Sequence, residues 1–103
     1  MAEPIYKVFF VKYKEPYFKL SEDERHKMEK VNADSQKQLG VEVVLMCDSY
    51  WAGEEWIGWG VEKFPSIEAV QKHAEALSSV NWFEYLESKT YLGTKLPDEF
   101  MPG

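Results

Sequence analysis

The chain has 103 residues, of which 45% are hydrophobic and 16% aromatic, and its formal net charge is −6. That aromatic load excludes a disordered chain, and the acidic balance argues against a nucleic-acid partner and against an anionic membrane surface. Cys47 is the only cysteine, so there is no internal disulfide and no paired-cysteine zinc site. No apolar run approaches the roughly 20 residues needed to cross a bilayer. Met1-Ala-Glu-Pro-Ile5 carries no basic-then-apolar leader pattern. The expectation is a single domain over residues 1–103 in a cytoplasmic protein.

Ile5–Lys14 reads as a strand with apolar side chains on both alternating sets, Phe9, Val11 and Tyr13 on one and Tyr6, Val8 and Phe10 on the other. Pro16 stops it. Ser21-Glu-Asp-Glu24 is a capping box, and the acids of this first turn suit the positive end of a helix dipole. The helix is predicted to run to about Leu39, with Gly40 as its left-handed terminator. Its inner face is sparse. Around Met28, the 3.6-residue spacing gathers Glu24, Arg25, Val31, Asn32, Ser35 and Leu39. Two readings stand: a thin apolar stripe with long polar chains snorkelling at its edges, or a cavity lined by some of those polar groups, Arg25 and Asn32 among them.

Val41–Phe64 reads as a long β-hairpin around a glycine-containing turn, with three of the four tryptophans. A three-residue turn, Ala52-Gly53-Glu54, pairs Trp51 with Glu55. In that register Val43, Leu45, Cys47, Ile57, Trp59 and Val61 share one face, expected to be the helix-side core. Val44, Met46, Asp48, Tyr50, Trp56, Gly58 and Gly60 share the other, expected at a dimer interface or lumen. Ser66 then caps a second helix whose stripe is Ile67, Val70, Ala74 and Leu77, with His73 on its edge. Val80–Phe83 is a short aromatic link, Glu84–Leu92 a fourth strand, and residues 94–103 an irregular C-terminal tail.

The order β-α-β-β-α-β implies an α+β, ferredoxin-like fold: a four-stranded antiparallel sheet with two helices on one face. The strands are apolar on both faces, so the uncovered face needs a partner, and a homodimer packed sheet to sheet is expected.

This order, the two-faced strands and the helix opened by Phe64-Pro-Ser-Ile-Glu-Ala-Val70 resemble the dimeric α+β barrel superfamily. The stretch Tyr17-Phe-Lys-Leu-Ser-Glu-Asp-Glu-Arg25 resembles the corresponding region of its darcynin-like members. The resemblance covers about Ile5 to Leu92 and implies two sheets forming a barrel, with pockets between helices and sheet. It also implies membership of a group that includes cofactor-independent oxygenases, isomerases, polyketide cyclases and haem-degrading enzymes. The haem-degrading members join a strand asparagine, a strand tryptophan and a histidine on the second helix. Trp56 or Trp59 and His73 match, but Ile5–Lys14 contains no asparagine, and no cofactor is expected.

His73 is the leading catalytic candidate, since imidazole exchanges protons near neutral pH; its bland alternative is a partly exposed helix-edge residue. Asp48 and Tyr50 are candidates for proton transfer or hydrogen bonding, or else polar groups meeting water at a hairpin end. Trp56 and Trp59 can orient a flat ligand or fill core and interface. Cys47 has no basic sequence neighbour and reads as a small buried hydrophobe. Two distant histidines give no metal spacing, and no metal is expected. The expected function is binding of a small hydrophobic or aromatic molecule, with cofactor-free isomerase, cyclase or monooxygenase chemistry as its enzymatic version. The alternative is a non-catalytic structural or partner-binding homodimer.

Overall fold

The computed structural model describes residues 3–101. Strand β1 spans Ile5–Tyr13, where β-branched and aromatic side chains dominate. Helix α1 spans Glu22–Gln38 and begins at the expected capping box. The Glu24 amide donates to Ser21 Oγ, and the Ser21 amide donates to Glu24 Oε1, both at 3.1 Å. Gly40 follows the helix at φ 71°, a conformation that costs glycine no steric penalty. Strands β2 (Glu42–Asp48) and β3 (Gly58–Phe64) form the hairpin. Helix α2 (Ile67–Ser78) starts where the Ala69 amide donates to Ser66 Oγ at 3.2 Å. A four-residue helical turn, α3 (Trp82–Tyr85), leads into β4 (Leu86–Gly93).

The sheet is antiparallel with strand order β2-β3-β1-β4, and the two main helices lie on one face, a ferredoxin-like α+β fold. β1 sits at the centre. It pairs Phe9 with Gly60 on one side and with Thr90 on the other. The helix-facing set is therefore Lys7, Phe9, Val11 and Tyr13 of β1, Gly58, Gly60, Glu62 and Phe64 of β3, and Leu86, Ser88 and Thr90 of β4. The apolar core is small. Its buried members are Met28 of α1, Ala69 and Leu77 of α2, Phe64 and Leu86.

The hairpin register is the expected one near the turn: Asp48 pairs with Gly58, Cys47 with Trp59 and Met46 with Gly60, in line with a Trp51–Glu55 pairing. The connection itself differs. The strands stop at Asp48 and Gly58, and Tyr50–Ala52 forms a single 3₁₀ turn closed by left-handed Gly53. A β-bulge between Val43 and Leu45 shifts the register further along.

The expected facing of the paired strands is reversed, although Trp56 lies on the open side as expected. Gly58, Gly60 and Met46 lie on the helix side, whereas Leu45, Cys47, Trp59 and Val61 lie on the open side. The reason is Phe9, which fills the inner layer above Gly60 and leaves no room for a side chain there. β4 also starts later than the expected Glu84. Asn81 adopts φ 56°, and the next four residues form the helical turn α3 before the strand begins.

The open face carries Tyr6, Val8 and Phe10 of β1 beside Trp59 and Val61 of β3. Phe10 lies against both Trp56 and Trp59, with ring centroids 6.3 and 6.5 Å away. Leu45 and Tyr91 on the flanking strands are about half exposed, so a large apolar area meets solvent in the single chain. Among the described residues no helix is long and apolar enough to cross a membrane.

Candidate functional site

A cavity of about 340 Å³ lies between α1, α2 and the inner face of the sheet. This is the arrangement expected if the polar inner face of α1 lines a space instead of packing down. Phe9, Val11, Met28, Leu77 and Leu86 form an apolar waist. Polar groups gather at both ends. Chain direction separates them: β1 runs from Lys7 at one end to Tyr13 at the other, and α1 runs back from Arg25 to Gln36.

His73 belongs to the first end. It is 1% exposed, packed near the Phe64 ring at a centroid distance of 5.8 Å. Its Nδ1 lies 2.8 Å from Ser35 Oγ, which joins α2 to α1. Ser35 does not line the cavity but His73 does, so the hydroxyl stands behind the ring. Among the described residues the Ser35 hydroxyl makes no other hydrogen bond. A buried hydroxyl that needs an acceptor therefore donates to Nδ1, which leaves the ring hydrogen on Nε2. Burial pushes the imidazole below its usual pKa; the Glu62 carboxylate opposes this and the Lys7 ammonium adds to it. His73 is a neutral ring, and with this assignment of its tautomer it offers an Nε2–H hydrogen bond to the cavity.

Glu62 is the second unusual group at this end, only 4% exposed. Gln36 Nε2 donates to its Oε2 at 2.6 Å, and Lys7 Nζ lies 3.8 Å from Oε1. Lys7 also stands over the Phe64 ring, 5.6 Å from its centroid. A buried carboxylate is held here by one cation and one amide.

The opposite end is aromatic and cationic. Tyr13 and Tyr17 stack with centroids 4.1 Å apart, and the Arg25 guanidinium lies over Tyr17 at 4.8 Å. Burial, then the neighbouring Tyr17 hydroxyl, raises the pKa of the Tyr13 phenol. It is a neutral donor at physiological pH.

The expected site residues divide sharply. His73, Arg25 and Asn32 all line the cavity. Asp48 and Tyr50 do not join them. Asp48 Oδ1 accepts from the Tyr50 amide at 2.9 Å in the hairpin loop, and the Tyr50 side chain is 76% exposed. Asp48 caps a turn and is not aimed at His73. Trp56 and Trp59 lie on the open face of the sheet, across it from His73, so the partial haem constellation is not assembled in one place. Among the described residues no group of three or more His, Cys, Asp or Glu side chains is placed to hold a metal ion. Glu62, Gln36, Lys7, Tyr13 and Tyr17 join the site from outside the expected set, while Ser35 is on the inner helix face expected around Met28. Lys7 had a signal, a charge in the alternating set of Phe9 and Val11. Glu62 had none, since it shares the parity of Gly58 and Gly60, expected on the other face.

No known protein family matches the chain by sequence, and no curated protein does. Solved structures do resemble it. The methylated RPA0582 protein superposes with a TM-score of 0.68 at 14% identity, covering 95% of this chain and 84% of its own. RPA0582, a protein of unknown function from Rhodopseudomonas palustris, superposes with a TM-score of 0.67 at 14% identity, covering 94% and 85%. At this identity the likeness establishes a shared α+β fold.

Proposed function

We propose that this chain is a single-domain, homodimeric protein of the dimeric α+β barrel type that binds a small hydrophobic molecule, aromatic or cyclic, between its helices and sheet. The observation that carries the reading is His73. A nearly unexposed, neutral imidazole held by Ser35 borders a cavity with an apolar waist. Cavities of ~300–1,000 Å³ with apolar walls and a few convergent polar groups are where small ligands bind. In the enzymatic version, the neutral His73 ring donates an Nε2–H hydrogen bond that polarises a carbonyl or hydroxyl oxygen of a substrate held against Phe9, Val11 and Met28. A titration of small aromatic compounds followed by NMR tests this. Expected are shifts at His73, Met28 and Leu77 that saturate; shifts confined to surface residues would end the proposal.

The second reading is a non-catalytic homodimer, supported by the uncovered apolar sheet face around Val8, Phe10, Trp59 and Val61. Both readings share the dimer. Light scattering should give twice the 12.1 kDa chain mass. Val8→Lys, placed at the centre of the open face, should give one chain mass with unchanged helical content. A wild-type mass of one chain would remove the dimer from both readings.

A further inference from the structure

The cavity contains one cation whose charge is not answered. Lys7, at the first end, faces Glu62. Arg25, at the other end, makes no ion pair among the described residues. Its Nη2 donates only a long bond, 3.4 Å, to the Phe18 carbonyl, and its Nε is buried without a partner. Glu29 lines the same cavity one turn along α1, the ideal spacing for an intrahelical pair, yet the guanidinium stacks on Tyr17 instead. A buried guanidinium donor without an acceptor is costly and uncommon in folded proteins. The packing closes off Nε, and the guanidinium's terminal Nη groups are left for something the chain does not supply.

We propose that the ligand is an aromatic or cyclic carboxylate whose anionic head is bound by Arg25, with its ring lying along the apolar waist toward His73. The inference rests on the small-molecule reading above and names the chemical class of that ligand. A carboxylate matches the paired terminal Nη groups with two parallel hydrogen bonds, which a point charge does not exploit. The Tyr17 ring fixes the guanidinium plane from one side, and Tyr13 stacks behind it and borders the cavity with a neutral hydroxyl. The waist of Phe9, Val11, Met28, Leu77 and Leu86 accepts a flat apolar body. The charges that face the head are therefore Arg25 and the exposed Glu29, with the Lys7–Glu62 pair at the far end. Glu29 competes for the same guanidinium.

Calorimetric titration with naphthoate and with naphthamide, its uncharged isostere, tests the assignment. Naphthoate should bind the wild-type chain at least about tenfold more tightly than naphthamide. Arg25→Gln should abolish that preference and Arg25→Lys should weaken it, since lysine keeps the charge but not the bidentate geometry, while Glu29→Gln should enlarge it severalfold. Glu29 is exposed at the rim of the cavity, so its variant keeps the test independent of any folding defect at Arg25. Equal binding of both compounds would overturn the carboxylate assignment and leave the small-molecule reading standing. Binding of neither would overturn both.

Discussion

Ser35 Oγ and His73 Nδ1 stand 2.8 Å apart, and this contact joins α1 to α2 while turning the other imidazole nitrogen toward the cavity. The Ser35 hydroxyl has no other acceptor among the described residues, so the contact sets the tautomer. Nitrogen-detected NMR of the histidine rings should find the His73 hydrogen on Nε2. Ser35→Ala should release the ring into a tautomeric mixture and cost about 1 kcal/mol of stability. A wild-type ring protonated on Nδ1 would reverse the assignment and make His73 an acceptor, hence a base, toward the cavity.

His73 also links stability to pH. Its folded pKa lies below the ordinary value of 6.5 because burial disfavours the cation. Below 6.5 the unfolded chain takes up the proton and the folded chain does not. The stability that comes from burying the neutral ring is therefore complete above pH 6.5. It declines as the pH falls from there toward the lower folded pKa, with a slope of at most about 1.4 kcal/mol per pH unit. Urea unfolding between pH 7 and 5.5 should show the decline, and His73→Gln should flatten it. An unchanged slope in that variant would assign the effect to other groups.

Phe9 crosses the inner face of the sheet directly over Gly60. A Cβ at residue 60 would lie 2.7 Å from Phe9 Cζ and 2.5 Å from the Leu45 carbonyl oxygen. The ring can shift only into the cavity, and the carbonyl is fixed in the β2–β3 ladder. Gly60→Ala should cost about 1–3 kcal/mol through overpacking. Gly93→Ala, which meets nothing within 4 Å, should stay within about 0.5 kcal/mol of the wild type. Similar losses in both would remove the Phe9 contact as the cause, since chain entropy alone makes Gly→Ala stabilising.

Gly60 also marks where sequence reading stopped. The capping box at Ser21 and the Ser66 cap are local, so they were legible, and so was the Asp48–Gly58 register, which depends on parity across one turn. The facing of that hairpin was not. Alternation divides side chains into two sets but does not say which set meets the helices, and both sets here are largely apolar. The sequence pattern places Gly60 in one set with Trp56, but the space it leaves is filled by Phe9, from a strand about fifty residues away. The site followed the same rule. Arg25 and Asn32 were legible because they share a helix face with Met28, whereas the Ser35–His73 and Gln36–Glu62 contacts join elements distant in sequence.

Lys7 and Glu62 provide the sharpest energetic test of the cavity floor. Glu62 is almost fully buried, with Lys7 Nζ at 3.8 Å and Gln36 Nε2 at 2.6 Å. Burying a carboxylate costs several kcal/mol, and removing one partner exposes that cost. Lys7→Met leaves the charge with only the Gln36 amide and should destabilise by about 3 kcal/mol. The lower end of the usual range applies because the ion pair is long and the amide bond survives. Glu62→Gln removes the buried charge and keeps a group that can meet Gln36, so its cost should be smaller. The double variant should then be more stable than Lys7→Met alone, since no buried charge remains to be answered. A double-mutant cycle by urea unfolding measures this coupling. Strict additivity would mean that solvent within the cavity already screens the pair, and that this end of the cavity is wet.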